Sequence, residues 1–114
     1  MNTIDSYQFG QIVVGGKVYS SDIIISPAGI KDDWWRKDGH ELCQEDIAGA
    51  ISESHEVLVV GTGASGLMKV LSDVNRATQA QGIEPIAKTT DKACNIYNQL
   101  CYSQRVIAAL HLTC

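Results

Sequence analysis

A chain of 114 residues lies near the commonest size for one domain, and 45% hydrophobic side chains suffice for a packed core without metals or disulfide staples. The 9 basic and 13 acidic side chains leave a formal charge of −4, and the only basic pair, Arg36-Lys37, is followed at once by Asp38. That balance excludes the basic face of a nucleic-acid-binding domain, and no stretch approaches the ~20 apolar residues of a membrane span.

The first residues, Met1-Asn2-Thr3-Ile4-Asp5, have neither a basic n-region nor an apolar h-region, which predicts a cytoplasmic setting. Cys43, Cys94, Cys101 and Cys114 are therefore read as reduced thiols. No Cys-x-x-Cys occurs, so neither a metal nor a redox motif is expected. Cys94 and Cys101 share a helix face two turns apart, about 10 Å at ~1.5 Å per residue, too far for a bridge.

In chain order, residues 7–14 read as a strand, and Gly15-Gly16 is a two-residue hairpin signal leading into Lys17-Val18-Tyr19. Ile23-Ile24-Ile25 is a β-branched strand ending at the turn cluster Ser26-Pro27-Ala28-Gly29. Ile30 to Arg36 reads as a further strand. A short helix follows, through about residue 53, with Ile47, Ala50 and Ile51 on one face. Val57-Leu58-Val59-Val60 is a continuous apolar run, the mark of a strand buried on both faces. Beyond Gly61-Thr62-Gly63-Ala64-Ser65-Gly66, the spacing of Leu67, Val70, Leu71, Val74 and Thr78 predicts a helix over 67–81. Ile83 to Ala87 is a strand that Pro85 confines to an edge or irregular position. Thr90 then caps a helix over 90–102, and Arg105 to Leu112 is the last strand.

Strands alternating with helices imply right-handed crossovers and parallel pairing. The expected fold is a single α/β domain over 1–114. It has three layers, a mixed, largely parallel central sheet and an N-terminal antiparallel hairpin layer. Val57–Val60 should be central and parallel to Ile83–Ala87.

The segments Tyr7-x-Phe9-Gly10, Gly15-Gly16-x-x-Tyr19-x-x-Asp22, Trp35-Arg36-x-x-Gly39-His40, Gly61-Thr62-Gly63, Thr90-x-x-Ala93, Tyr97-Asn98-x-Leu100 and Arg105-Val106-x-Ala108-Ala109-Leu110-His111 occur in one order. Together they resemble a family of small domains of unknown function. That family includes the mitochondrial complex I assembly factor three, a cytosolic adipogenesis-associated protein, and bacterial and archaeal stand-alone members. The resemblance spans Tyr7 to His111 and implies a three-layer α/β fold with a mixed sheet. It brings no catalytic residues and no cofactor, and so favours a non-catalytic binding or assembly-type protein over an enzyme.

Three constellations bear on function. Gly61-x-Gly63-x-x-Gly66 matches the dinucleotide fingerprint formally, but the acidic residue expected about twenty positions on does not end the next strand. A glycine-rich turn is the plainer reading. Its rim nevertheless gathers candidate ligands for a small phosphate or carboxylate, as in a ligand carrier or small enzyme. These are Gly61, Thr62, Gly63, Ser65 and Gly66 at one expected helix start, and Lys88, Thr89 and Thr90 at another. His111 and Cys114 suggest a base and a nucleophile, yet strand alternation sets them on opposite sides and no acid stands near to orient the histidine. His40 and His55 read as loop residues. Finally, Trp34 and Trp35 are neighbours on an expected strand, so one should enter the core while the other sits in an exposed patch, a candidate contact for a protein partner or a second copy.

Overall fold

The long apolar runs determine the architecture. In the computed structural model, which describes residues 3–52 and 54–114, they form the middle of a five-stranded sheet. The strands are β1 (Ile4–Gln8), β2 (Gln11–Val14), β3 (Lys17–Tyr19), β4 (Ile23–Ser26), β5 (Gly29–Lys31), β6 (Glu41–Leu42), β7 (Val57–Thr62), β8 (Lys69–Val70), β9 (Glu84–Lys88) and β10 (Val106–His111). The helices are α1 (Gln44–Ile47), α2 (Ser72–Ala80) and α3 (Thr90–Leu100). The central sheet runs β5-β4-β10-β7-β9. β10 and β7 pair in parallel from Val106–Val57 to His111–Thr62, and β7 pairs in parallel with β9. β4 and β5 add an antiparallel hairpin. Every residue of β10 is buried, as a strand covered on both faces requires. Pro85 lies on the edge strand β9, where its missing donor is tolerated.

Two apolar layers flank the sheet. On one face, Ile12, Ile23, Val59, Ala108 and Leu110 pack with Ala93, Cys94 and Tyr97 of α3, beneath the separate antiparallel meander β1-β2-β3. On the other, Ile24, Leu58, Val60, Ile107 and Ala109 pack with Trp34, Leu42, Ile47, Met68 and Val74. The expected mixed α/β layering is the one observed.

Several local expectations change. Residues 7–14 are not one strand: the chain turns at Phe9-Gly10, where Gly10 has φ 78° and donates its amide to the Leu112 carbonyl. The Gly15-Gly16 turn is as read, with φ of 55° and 81°. The strand expected over 30–36 ends at Lys31, because the Trp34 amide leaves the sheet to donate to the Asp22 carbonyl. The helix expected over 67–81 starts only at Ser72. Residues 66–71 are drawn off by tertiary hydrogen bonds from Leu67 to Cys114, Met68 to Thr62, Lys69 to His40 and Leu71 to Leu42. Helical spacing thus yields there to a short parallel bridge between β8 and β6.

Candidate functional site

At the carboxyl end of β10 the chain assembles an ion cluster from three distant segments. Asp22 precedes β4, Arg36 lies in the connection between β5 and β6, and His111 closes β10. The Arg36 guanidinium donates Nη1 to Asp22 Oδ2 at 2.9 Å and Nη2 to the Gly39 carbonyl at 3.1 Å. His111 Nδ1 lies 2.8 Å from Asp22 Oδ2 and 3.1 Å from Arg36 Nη2. An arginine nitrogen can only donate, so Nδ1 either gives a proton to Asp22 or accepts one from Arg36, never both. Asp22 Oδ1 accepts the Leu112 amide at 2.8 Å. Burial raises the Asp22 pKa, but hydrogen bonds from His111, the Leu112 amide and Arg36 outweigh it and hold the carboxyl below its ordinary value.

An acid does therefore stand beside His111, contrary to the expectation from sequence, and it comes from the opposite end of the chain. His111 Nε2 is buried, and no hydroxyl or thiol among the described residues is hydrogen-bonded to it. Thr90, close in space, instead donates its hydroxyl to the His111 carbonyl at 2.5 Å.

Beside this cluster lies a cleft of about 400 Å³ lined by Ser20, Ser21, Asp22, Asp33, Trp34, Trp35, Arg36 and Gly39. Trp34 is 3% exposed and Trp35 85% exposed. The two indoles diverge as adjacent residues should, although the segment is irregular and not the expected strand. Trp34 Nε1 donates to the Asp46 carbonyl at 3.0 Å, while the Asp46 carboxylate accepts the amides of Lys37 and Cys43. Arg36 lies over the Trp34 ring at 4.8 Å. These contacts fix the base of the loop and leave the Trp35 indole projecting from it. Asp33, at φ 49°, holds a left-handed conformation with its amide on Ser21 Oγ.

The glycine-rich rim is organised differently. Thr62 and Lys88, Gly63 and Thr90, and Gly66 and Thr89 are brought together, Gly61 pairs with Lys88 in the β7–β9 ladder, and Ser65 is exposed on the turn. Their donors, however, are largely engaged within the chain. Gly63 N–H goes to Thr90 Oγ1, Ala64 N–H to Thr113, Gly66 N–H to Gly63, and the Thr62 hydroxyl to Lys88. The Thr90 amide goes to Gly63. The turn does not start a helix, and Gly63 (φ 105°) leaves no cradle, because a Cβ there would collide with the Cys114 carbonyl. At the start of α3, Asp91 accepts the Thr89 hydroxyl at 2.6 Å. That bond and the amides of Lys92 and Asp91 itself hold the carboxyl below its ordinary value. The chain thus supplies its own anion where an external one would sit.

No group of three or more His, Cys, Asp or Glu among the described residues could hold a metal ion. No helix among them is long and apolar enough to cross a membrane. His40 lies in the loop before β6, its amide on Asp38, and half-buried His55 accepts the Ser52 amide. Asp22 was legible only as part of a spaced motif, and its pairing with His111 has no signal in sequence spacing.

A family model described as a protein of unknown function (DUF498/DUF598) matches residues 4–111. Among solved structures, the chain is similar to the conserved hypothetical protein PH1505 of Pyrococcus horikoshii, at 28% identity and a TM-score of 0.84, over 98% of this chain and 99% of that one. It is similar at 26% identity to an outer membrane protein of Bartonella henselae, with a TM-score of 0.83 over 98% and 95%. A Mth938-like domain from Bordetella pertussis, at 24% identity and a TM-score of 0.73 over 97% and 85%, shares the fold.

Proposed function

The chain belongs to the DUF498/DUF598 family, and from that premise and the cleft's geometry we propose that it is a non-catalytic binding domain of assembly type. Its contact surface is the Trp34–Gly39 loop. The observation that carries this reading is the Trp35 indole, 85% exposed beside a cleft whose other aromatic is fully packed. A large exposed indole on a rigidly anchored loop is the kind of group that interfaces use as an anchor. The resemblance to the domain of the mitochondrial complex I assembly factor supports an assembly-type role over catalysis. The alternative, a carrier or enzyme holding a phosphate or carboxylate at Gly61–Gly66 and Lys88–Thr90, has less support, because the donors there already have acceptors in the chain.

A photo-crosslinking amino acid placed at position 35 in cells tests this, with position 102, another well-exposed aromatic, as control. Tyr102 is 71% exposed. A discrete protein adduct from position 35 and none from 102 is expected. No adduct from 35, or equal adducts from both, would overturn the reading.

A further inference from the structure

We infer that the Trp35 cleft receives a cationic side chain, arginine or lysine, presented by an extended basic segment of a partner protein. The inference rests on the binding reading above and names the chemistry of the partner. It starts from the loop's own charges. Of the two cations there, Arg36 is only 5% exposed in its side chain and is held by Asp22, Gly39 and His111, and Lys37 is bound to Glu45 at 2.6 Å. Both therefore have partners within the chain, Arg36 in a buried cluster and Lys37 in a surface pair. Asp32, Asp33 and Asp38 are exposed and form no ion pair among the described residues. Asp33 lines the cleft directly. Asp33 and the open Trp35 ring therefore share one cleft. Across residues 31–38 the exposed charges outside any ion pair among the described residues are one cation, Lys31, against Asp32, Asp33 and Asp38, on a chain whose formal charge is −4.

An indole face attracts cations through its quadrupole, and neighbouring carboxylates add to that attraction. The loop already contains one such stack, Arg36 over Trp34, and Trp35 offers a second indole whose surface is open. An anionic ligand would meet the Asp33 carboxylate in the cleft. A second copy of this chain would bring the same excess of acid, 13 acidic against 9 basic side chains.

The test is titration of the intact protein with hexa-arginine amide, followed by amide shifts of residues 33–39, with hexaglutamate and a Gly-Ser hexapeptide as controls. Saturable binding of hexa-arginine alone is expected, weakening as salt is raised. Trp35→Leu, which keeps apolar bulk without the π face, should weaken it roughly tenfold. Asp33→Asn should weaken it several-fold, and Glu84→Gln, on the far edge strand, should leave it unchanged. If Glu84→Gln costs as much as Asp33→Asn, or Trp35→Leu costs nothing, attraction is general and the inference falls. If hexa-arginine fails to bind while position 35 still crosslinks a partner, the cationic chemistry is wrong and the binding surface stands.

Discussion

The Gly61–Gly66 rim and the Trp34–Gly39 loop lie at the same end of the central sheet, and both are tied to the last residues of the chain. Ala64 and Leu67 donate to Thr113 and Cys114, while Asp22, which grips Arg36, accepts the amide of Leu112. The rim uses its polar groups internally, down to the Asp91 carboxylate in the anion position of α3. The loop uses its internal bonds to fix its base and leaves an exposed indole and three carboxylates outside any ion pair among the described residues. A glycine-rich motif coincides with internally bonded groups in the first case, whereas the second leaves an exposed indole beside a cleft.

The comparison breaks most directly at Asp22. Asp22→Ala removes the carboxylate that neutralises a guanidinium only 5% exposed, and leaving such a charge unpaired costs about 3–5 kcal/mol. Urea unfolding should register that loss, accompanied by a red shift of Trp34 emission as the loop loosens. A loss under about 1 kcal/mol, the range of an exposed pair, would mean the cluster does not fix the loop.

Gly63→Val sharpens the contrast from the other side. The position combines a left-handed φ of 105° with the Cys114 carbonyl against any added Cβ. The strain expected is on the order of 1–3 kcal/mol. Hexa-arginine binding by the folded fraction should be unchanged, because no residue of the rim lines the Trp35 cleft. Weakened binding without loss of stability would reverse the two regions' roles.

A smaller effect appears with pH. The Asp22 carboxyl titrates below its ordinary value of about 3.9 when folded, so between the two values the unfolded chain holds more protons. Its contribution is complete above that ordinary value and disappears as pH falls through the folded one. Thermal unfolding between pH 6 and 2 should show a steeper acid decline in the parent than in Asp22→Asn. Parallel declines would mean the carboxyl is not held by His111, Leu112 and Arg36.

What the sequence made legible followed from local physics. Val57–Val60 reads as a doubly buried strand because four apolar residues in succession have no other favourable environment, and Pro85 reads as an edge because it lacks a donor. Leu67 misled because helical spacing is blind to tertiary hydrogen bonds: its amide is taken by Cys114, its side chain is exposed, and α2 waits until Ser72. The Asp22–His111 pair spans 89 positions, a separation that no periodicity reports. The divergence of Trp34 and Trp35 was readable from adjacency alone, but the charge inventory around Trp35 required knowing that Asp22 and Glu45 take up Arg36 and Lys37.

The smallest expected effect is a null one at the rim. A phosphate titration followed by amide shifts asks whether the donors of residues 61–66 and 88–91 are free to meet an anion. The amides of Gly63, Ala64, Gly66 and Thr90 each have an acceptor within the chain at 2.7 to 3.3 Å, and exchanging one of these for phosphate returns little net free energy. Lys88 adds a charge, but Asp91 at the start of the same α3 offsets it and already takes the helix-end donors. Shifts at 61–66 and 88–91 should therefore stay within those of distant surface amides up to millimolar phosphate. Saturable shifts confined to those residues would show that the internal bonds open for a ligand, and would move the binding surface from the Trp35 loop to the rim.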